Sequence, residues 1–308
     1  MNAASLSSSR VWAYLQLMRP ANIITAWADV LAGFAASGSV VLLNEATGQA
    51  TLDMVPLAWL LVSTTGLYGG GVVFNDVFDA ELDAEERPER PIPSGRASRG
   101  SATLLGSLLL SVGLVAAGQV SWLSATLALG IAFSALLYDA FGKHHPQLGP
   151  LNMGVCRGGN LLLGISAVPV MVGEHWFLAL IPVVYIAAIT ALSRGEVHGA
   201  KTSTGVIALL LIVIVIGGLL GLGLLKDYEI LAALPFLVLF AGRVVLPFVK
   251  AISEPTPEQI RTAVKAGVLS LIVLDATLAA GFASWPYGLL VLSLLPISLT
   301  LAKMFAVT

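Results

Sequence analysis

A short acidic segment near residue 75 stands out, at the point where a long hydrophobic run ends. Six of the chain's 18 acidic residues lie between positions 76 and 86. Asp76, Asp79 and Asp83 are spaced i, i+3 and i+7, so one helix would carry all three on one face, with Asn75 at its border. Carboxylates this close repel one another unless a cation joins them. Oxygen ligands suit Mg²⁺, which is often held by a few carboxylates together with substrate phosphates. The spacing therefore predicts a site for a metal-bound diphosphate.

A rigid basic loop follows the acidic segment. Three prolines restrict its backbone between positions 88 and 93. Its arginines are planar, permanently charged groups whose geometry matches phosphate oxygens; they are Arg87, Arg90 and Arg96. An ordinary solvated loop, whose arginines only orient the protein in a membrane, is the alternative interpretation. That alternative explains neither the row of carboxylates nor the rigid loop behind it.

The elements that position these residues are membrane helices. Of the 308 residues, 57% are hydrophobic and only 11% are charged, whereas a soluble protein carries about 25% charged residues. Because only Ser284, Trp285 and Pro286 separate the last two apolar runs, nine and ten crossings are both compatible with the sequence. An all-α bundle of transmembrane helices is therefore predicted. Its apolar runs approach the ~20 residues that span a bilayer, at 22–43, 55–74, 102–119, 122–139, 150–172, 176–193, 204–225, 229–250, 265–283 and 286–306.

Lysine and arginine predict the orientation. With the N-terminus inside, fifteen of the sixteen fall on cytoplasmic segments or helix ends, Arg157 and Arg243 among them, and only Lys226 falls opposite. This asymmetry predicts a cytoplasmic N-terminus and a cytoplasmic Asp-rich segment. The basic residues are spread over separate loops, so no nucleic-acid partner is expected. The first 20 residues lack an apolar segment followed by a cleavage site, so no cleaved signal peptide is expected.

Three further residues, one cysteine and two carboxylates, lie within the predicted membrane helices. Cys156 is the only cysteine, which excludes a disulfide within the chain and a Cys-based metal site, and favours a packing role. Carboxylates within a membrane usually face a cavity or a partner. We expect Asp29 to share a cavity-lining face with Asn22, and Asp275 to make a structural hydrogen bond.

The Asp-rich segment and its loop resemble a known family. Asn-Asp-x-x-Asp-x-x-x-Asp from residue 75, followed by Arg-Pro-x-x-Ser-Gly-Arg from residue 90, is similar to the UbiA superfamily of intramembrane prenyltransferases. Arg19-Pro20-Ala21-Asn22, the pair Tyr138 and Lys143, and Gly149-Pro150-Leu151-Asn152 fit the same family. The resemblance implies a bundle of typically nine transmembrane helices, with a central cavity open to the cytoplasmic side. It also implies a cytoplasmic segment over 1–21 and a single transmembrane domain over 22–308.

The second Asp-rich motif of the family is degenerate in this chain. Ser193, Glu196 and Ala200 stand where relatives carry three acids, with His198 beside the surviving carboxylate. A second Mg²⁺ would then be held less well, and the carboxylate thought to assist acceptor deprotonation is in question. The segment 193–201 resembles the EboC subgroup of UbiA-like proteins. That resemblance implies a polar, cyclitol-type acceptor, with an aromatic acceptor as the other option.

The resemblance also assigns roles to individual residues. Metal binding is expected from Asp76, Asp79, Asp83 and Glu196. Glu196 or His198 would take the acceptor's proton, although His198 is equally interpreted as a solvated loop residue. Tyr138 either stabilises an allylic cation by its ring face or anchors the helix at the interface. Binding of the diphosphate and acceptor is expected from Asn22, Asn75, Arg87, Arg90, Lys143, Asn152, Arg194 and Lys201.

The function expected from these observations is that of an integral-membrane prenyltransferase in a bacterial inner membrane. It would move an isoprenyl group from a prenyl diphosphate to a small acceptor, with Mg²⁺-assisted release of diphosphate. Membrane lipid is the other expected partner, and the oligomeric state is left open. The alternatives are a non-catalytic prenyl-lipid binder of the same fold and a transporter that uses Asp29 and Asp275 as ion sites.

Overall fold

The structure is a computed structural model that describes residues 10–41, 43–44, 49–50, 53–145, 147–196, 199 and 201–305. Helices dominate it, as predicted. A two-residue antiparallel pair of strands, β1 Leu43–Asn44 and β2 Gln49–Ala50, lies in the connection after the second helix. The helices are α1 Arg10–Met18, α2 Pro20–Ala36, α3 Val55–Phe78, α4 Ala80–Glu86, α5 Arg99–Gly118, α6 Trp122–Ala140, α7 Leu148–Ile165, α8 Pro169–His175, α9 Leu180–Ser193, α10 Thr202–Gly221, α11 Ile230–Ser253, α12 Pro257–Phe282, α13 Trp285–Leu292 and α14 Leu294–Phe305.

Eight helical stretches in the described residues are long and apolar enough to cross a membrane. Two further helices are shorter or more polar: α2 has 17 residues, nearly all buried, and α7 carries Arg157 in its middle. All ten predicted apolar runs thus contain helix. The eight stretches are Val55–Phe78, Arg99–Gly118, Trp122–Ala140, Pro169–Ser193, Thr202–Leu224, Ile230–Ser253, Pro257–Phe282 and Trp285–Phe305.

The fifth predicted run is broken in the structure. Helix α7 ends at Ile165, and Pro169 opens α8 as the first residue of the next helix. A proline suits the first helical turn, where its missing N–H is not needed. The residues 169–172 therefore belong to the sixth spanning stretch rather than to the fifth.

Glycines let neighbouring helices approach one another closely. A Cβ on Gly66 of α3 would lie 2.4 Å from the Leu109 carbonyl oxygen of α5, and one on Gly113 of α5 would lie 2.9 Å from the Ser63 carbonyl oxygen. Small residues at such crossings are typical of helix packing in lipid. The close crossing fixes α3, which carries the start of the Asp-rich segment.

The Asp-rich segment bends where one continuous helix was predicted. Helix α3 ends at Phe78, Asp79 lies at the junction, and α4 begins at Ala80. The backbone N–H of Asp79 still donates to the Asn75 carbonyl, and that of Asp83 donates to the Asp79 carbonyl. The helical hydrogen-bond pattern therefore continues through the break between the two helices, with Asp79 at the junction.

Candidate active site

Two carboxylates of the Asp-rich segment share one arginine. The Arg90 guanidinium donates to both carboxylate oxygens of Asp83, at 2.7 and 3.0 Å, and lies 3.5 Å from the nearer oxygen of Asp76. Arg19, between α1 and α2, donates to the same Asp76 oxygen at 2.5 Å. Asp76 and Asp83 are both almost fully buried. Arg90 therefore lies against two of the predicted metal-binding carboxylates, and its role in binding diphosphate stays a prediction.

The third carboxylate has a cation of its own. Asp79 accepts a hydrogen bond from the ammonium group of Lys143, which lies just beyond the end of α6. Both side chains line a shallow cleft of about 470 Å³ that also touches Asp139 and Glu85. The structure thus brings Lys143 to the Asp-rich segment, and its role in binding diphosphate stays a prediction.

A cavity of about 300 Å³ leads inward from this cluster. Helices α3, α6, α7, α9 and α12 supply its walls, and Arg19 and Asn22 stand at its mouth. Apolar side chains cover much of the wall, including Leu67, Met153 and Ile189. Three of the predicted site residues line it: Asn22, Asn75 and Tyr138.

A network of buried polar groups lies deeper along the same cavity. Arg157 of α7 donates to Asp29 of α2 at 2.7 Å and to Thr25 at 2.5 Å, and its guanidinium lies 5.0 Å from the ring centre of Tyr68. Asn160 donates to the same Asp29 oxygen. Arg157 and Asn160 line the cavity, whereas Asp29 is fully buried behind them. The expectation that Asp29 lines the cavity is therefore wrong.

Two arginines lie elsewhere than their predicted positions. Arg157 and Arg243 lie inside α7 and α11, not at cytoplasmic helix ends. Each is flanked by apolar residues, so counting charges along the sequence cannot separate a buried arginine from one at a helix end. Fifteen less these two leaves thirteen basic residues for the predicted cytoplasmic side, against Lys226 on the other side.

The expected structural hydrogen bond of Asp275 stays a prediction. Asp275 is fully buried beside Asp29, and the two carboxyl side chains interact. Neither Asp275 oxygen accepts a hydrogen bond from another described group, and one Asp29 oxygen accepts none. A proton on either carboxyl group would let that group donate to the other.

Ser193 and Glu196 of the degenerate second motif are not among the residues that line the cavity or the cleft. Glu196 follows α9, and its backbone carbonyl accepts a hydrogen bond from Arg261 at 3.0 Å. Partial burial raises the pKa of Glu196, and the nearby Arg261 and Arg87 act in the opposite direction. His198 and Ala200 lie outside the described residues. Glu196 is not part of the cavity wall, so its roles as metal ligand and base stay predictions.

Three predicted substrate-binding residues have other surroundings. Asn152 accepts a hydrogen bond from Ser134 of α6 at 2.6 Å and is not among the cavity-lining residues. Arg194 donates to the backbone carbonyls of Lys143 and His145, which supports the loop after α6. Lys201 is exposed at the start of α10. Their roles in binding stay predictions.

Asp139 is a further candidate site residue, which the sequence pattern alone does not single out. Its carboxylate accepts a hydrogen bond from the side-chain amide of Asn75 at 3.0 Å, and it lines both the cavity and the cleft. Its position directly after Tyr138, within a segment already singled out, was the available signal. It is a carboxylate at the rim of the cavity that no cation neutralises directly among the described residues.

The residues present fit a magnesium ion that arrives with a diphosphate. Asp76 and Asp83 face the same guanidinium nitrogen, so they border one small volume. Among the described residues, no three of the His, Cys, Asp or Glu side chains form a complete metal cage. Mg²⁺ needs only one or two carboxylates when phosphates supply the other oxygens. The donor set therefore suits shared coordination rather than a dedicated protein site.

Comparison with known proteins identifies the family. The chain matches the UbiA prenyltransferase family over residues 30–254, which is more than half of its length. The chain belongs to the UbiA prenyltransferase family. Its curated relatives include the digeranylgeranylglyceryl phosphate synthases of Methanothrix thermoacetophila and Ignicoccus hospitalis. The first is 34% identical over 200 residues, covering 61% of this chain and 68% of the relative. The second is 32% identical over 203 residues, covering 65% and 62%.

Solved structures of UbiA proteins share the fold. A digeranylgeranylglyceryl phosphate synthase superposes with a TM-score of 0.66 at 21% identity, over 89% of this chain and 98% of that chain. A UbiA homologue from Archaeoglobus fulgidus bound to GPP and Mg²⁺ gives a TM-score of 0.60 at 17% identity, over 91% and 99%. The predicted helical fold of this UbiA family member is confirmed.

Proposed function

We propose that this UbiA family member transfers an isoprenyl group from a prenyl diphosphate to a small acceptor, with Mg²⁺ bound at the Asp-rich segment. The observation that carries the proposal is the cluster of three carboxylates and three cations at the mouth of a largely apolar cavity. A diphosphate needs both kinds of group, and a prenyl chain needs the apolar walls. The A. fulgidus homologue with GPP and Mg²⁺ supports the choice of donor and metal.

Asp76, Asp79 and Asp83 would hold the metal, and the cations would bind the diphosphate. Mg²⁺, when bound, neutralises charge that develops on the leaving group. Arg19, Arg90 and Lys143 already point at the carboxylates, so small side-chain movements bring their N–H groups to phosphate oxygens. These charge-assisted hydrogen bonds strengthen as the C–O bond breaks and the diphosphate takes the electron pair.

The cavity would protect and use the resulting allylic group. Its apolar walls exclude water from the electron-deficient carbon, and the Tyr138 ring at the rim stabilises positive charge. The acceptor's nucleophilic atom forms the new bond to that carbon and then loses a proton. Asp139 is the carboxylate at the rim placed to accept it, since Glu196 lies outside the cavity wall.

The acceptor that we propose is a glyceryl phosphate that already carries a prenyl group. The curated relatives are named for a digeranylgeranylglyceryl phosphate product. This replaces the cyclitol-type or aromatic acceptor expected from the degenerate second motif. The alignments span 68% and 62% of those relatives, so the acceptor is a proposal drawn from part of their length.

We propose that the protein is embedded in the membrane with the mouth of its cavity facing the cytoplasm. Thirteen basic residues against one support this orientation. The segment 1–21 would then be cytoplasmic and 22–308 a single transmembrane domain. The relatives named here come from Methanothrix and Ignicoccus, so they do not support the bacterial inner membrane expected earlier.

The test is transfer of a labelled prenyl group into an extractable lipid. Purified protein in nanodiscs would receive labelled prenyl diphosphate, Mg²⁺ and geranylgeranylglyceryl phosphate, with a membrane-free cell extract as a second acceptor source. A labelled lipid product is the expected result. The degenerate second motif favours one alternative, a non-catalytic binder. Mg²⁺-dependent donor binding without any product would establish that alternative and contradict the proposal.

A further inference from the structure

We propose that the inner end of the cavity restricts the donor to a short prenyl chain, geranyl or farnesyl rather than geranylgeranyl. Thr64, Arg157 and Asn160 set this limit. The inference rests on the proposed function and names the donor for the same site. It departs from the relatives, whose names specify geranylgeranyl groups.

The depth of the cavity follows from the helix that lines it. Thr64 is the innermost lining position on α3, and Asp76 stands at the mouth of the same helix. At 1.5 Å per residue, Thr64 lies about 18 Å and Tyr68 about 12 Å inward from Asp76. A prenyl chain whose diphosphate is held at Asp76 can therefore extend about 18 Å along α3 before it reaches Thr64.

A hydrogen bond across the bundle closes the inner end. The Thr64 hydroxyl donates to the Asn160 side-chain oxygen at 2.7 Å, which joins α3 to α7. The Asn160 amide group donates to Asp29 and to the Ala26 carbonyl of α2. Each polar group of Asn160 is therefore engaged. Because three helices are tied together at this level, the end wall resists displacement by a substrate.

Arg157 makes the same region unfavourable for a hydrocarbon. Its guanidinium has five N–H groups, and Asp29 and Thr25 accept one each among the described residues. The group lines the cavity and is 7% exposed. An apolar chain pressed against its remaining N–H groups would remove them from water without replacing a hydrogen bond, which costs free energy.

Chain length decides which donors avoid this wall. An extended chain advances roughly 1.2 Å per bond, hence about 5 Å per isoprene unit. Geranyl, farnesyl and geranylgeranyl chains therefore reach about 10, 15 and 20 Å. Geranyl ends before the level of Arg157, farnesyl ends between Arg157 and Thr64, and geranylgeranyl reaches the end wall. The expected order of preference is geranyl, then farnesyl, then geranylgeranyl.

The direct test measures kcat/KM for diphosphate release with the three donors on the full chain in nanodiscs. The kcat/KM for geranylgeranyl diphosphate should be lower than that for geranyl diphosphate by about 10-fold or more. Equal values would overturn the inference and show that long chains leave the cavity sideways. Absence of release with every donor would instead contradict the proposed function.

A matched pair of double variants tests the wall itself. Thr64→Ala with Ile131→Ala, the latter on α6 and also lining the cavity, removes volume and should shift preference toward geranylgeranyl diphosphate. Thr64→Val with Ile131→Leu removes the same hydroxyl but conserves volume, so it should keep the wild-type preference. Destabilisation alone would lower activity with all donors equally and leave their ratio unchanged. Two results would overturn the assignment of the end wall. One is an unchanged ratio of kcat/KM between the donors in a folded Thr64→Ala, Ile131→Ala variant. The other is an equal change of this ratio in both double variants. If the enlarged variant does not fold, the wild-type donor series decides.

Discussion

Each of the three aspartates of the Asp-rich segment has a basic side chain in contact with it. Arg19 and Arg90 reach Asp76, Arg90 also binds Asp83, and Lys143 binds Asp79. The charges therefore balance before any substrate arrives, which allows three acids to remain close together. When a metal-bound diphosphate occupies the site, the same cations become available to its oxygens.

Asp76→Asn and Asp79→Asn should each lower turnover by about 100-fold or more, because each removes a charged oxygen ligand at the diphosphate site. Folding should be retained, since asparagine preserves shape. The measurement is the rate of diphosphate release beside the elution profile in size-exclusion chromatography. Glu86→Gln is the matched control, because Glu86 is exposed in the same segment and lines neither the cavity nor the cleft. Normal rates in both Asp variants would contradict the metal assignment.

Asp139→Asn tests the proposed proton acceptor. It should lower kcat for transfer to the acceptor by about 100-fold while the KM of the donor stays near wild type, because general-base catalysis contributes on this scale. Asparagine still accepts a hydrogen bond from Asn75, so the rim should keep its shape. The KM of the donor and kcat are measured separately in steady-state assays. An unchanged kcat would assign the proton to another group.

Local motifs made the mouth of the site predictable, whereas the inner wall depends on distant partners. Asp76, Asp79 and Asp83 lie within eight residues, and their charges suggest shared chemistry at once. Arg157 meets Asp29 across 128 positions of sequence. No spacing rule links two residues this far apart. The charge pattern alone therefore predicts Arg157 at a cytoplasmic helix end.

At the scale of elements, α3 connects the two parts of the site. It carries Thr64 and Tyr68 along the cavity and Asp76 at the mouth. Its position depends on the close crossing with α5 at Gly66. A displacement of this helix would therefore disturb the diphosphate site and the inner wall together.

Gly66→Ala should destabilise the protein by about 1–3 kcal/mol, because the new methyl group would meet the α5 backbone at 2.4 Å. Gly217→Ala on α10 is the matched control, since a Cβ there meets nothing within 4 Å. Thermal unfolding in detergent, followed by tryptophan fluorescence, would show a lower Tm for the first variant only. Equal Tm values would mean that the α3–α5 crossing can widen without cost.

One helix start carries a clear local signal, whereas other bounds do not. Pro257 begins α12, as a proline in a first turn does, but the predicted run 150–172 passes through Pro169, which begins α8. The apolar run across 150–172 hides the end of α7, because hydrophobicity continues through the turn. The bend at Asp79 was also missed, since the spacing of acids fits an unbroken helix equally well.

For the whole molecule, the distribution of charge predicts orientation. Lys226 should face outward and Glu89, in the basic loop, should face the cytoplasm. With Cys156→Ala as a cysteine-free background, Lys226→Cys and Glu89→Cys each supply one exposed thiol. A membrane-impermeant maleimide added to intact cells should label the first and not the second, and lysis should expose the second. The reverse pattern would invert the orientation.

The central claim is that the Asp-rich cluster ionises a prenyl diphosphate with Mg²⁺. The most direct measurement is pyrophosphate release by purified protein in nanodiscs, with geranyl, farnesyl and geranylgeranyl diphosphates supplied in turn and an acceptor extract present. We predict release that requires Mg²⁺, stops with EDTA, and is lost in Asp79→Asn but retained in Glu86→Gln. Folded protein that releases no pyrophosphate from any donor would contradict the claim and favour a prenyl-lipid binder.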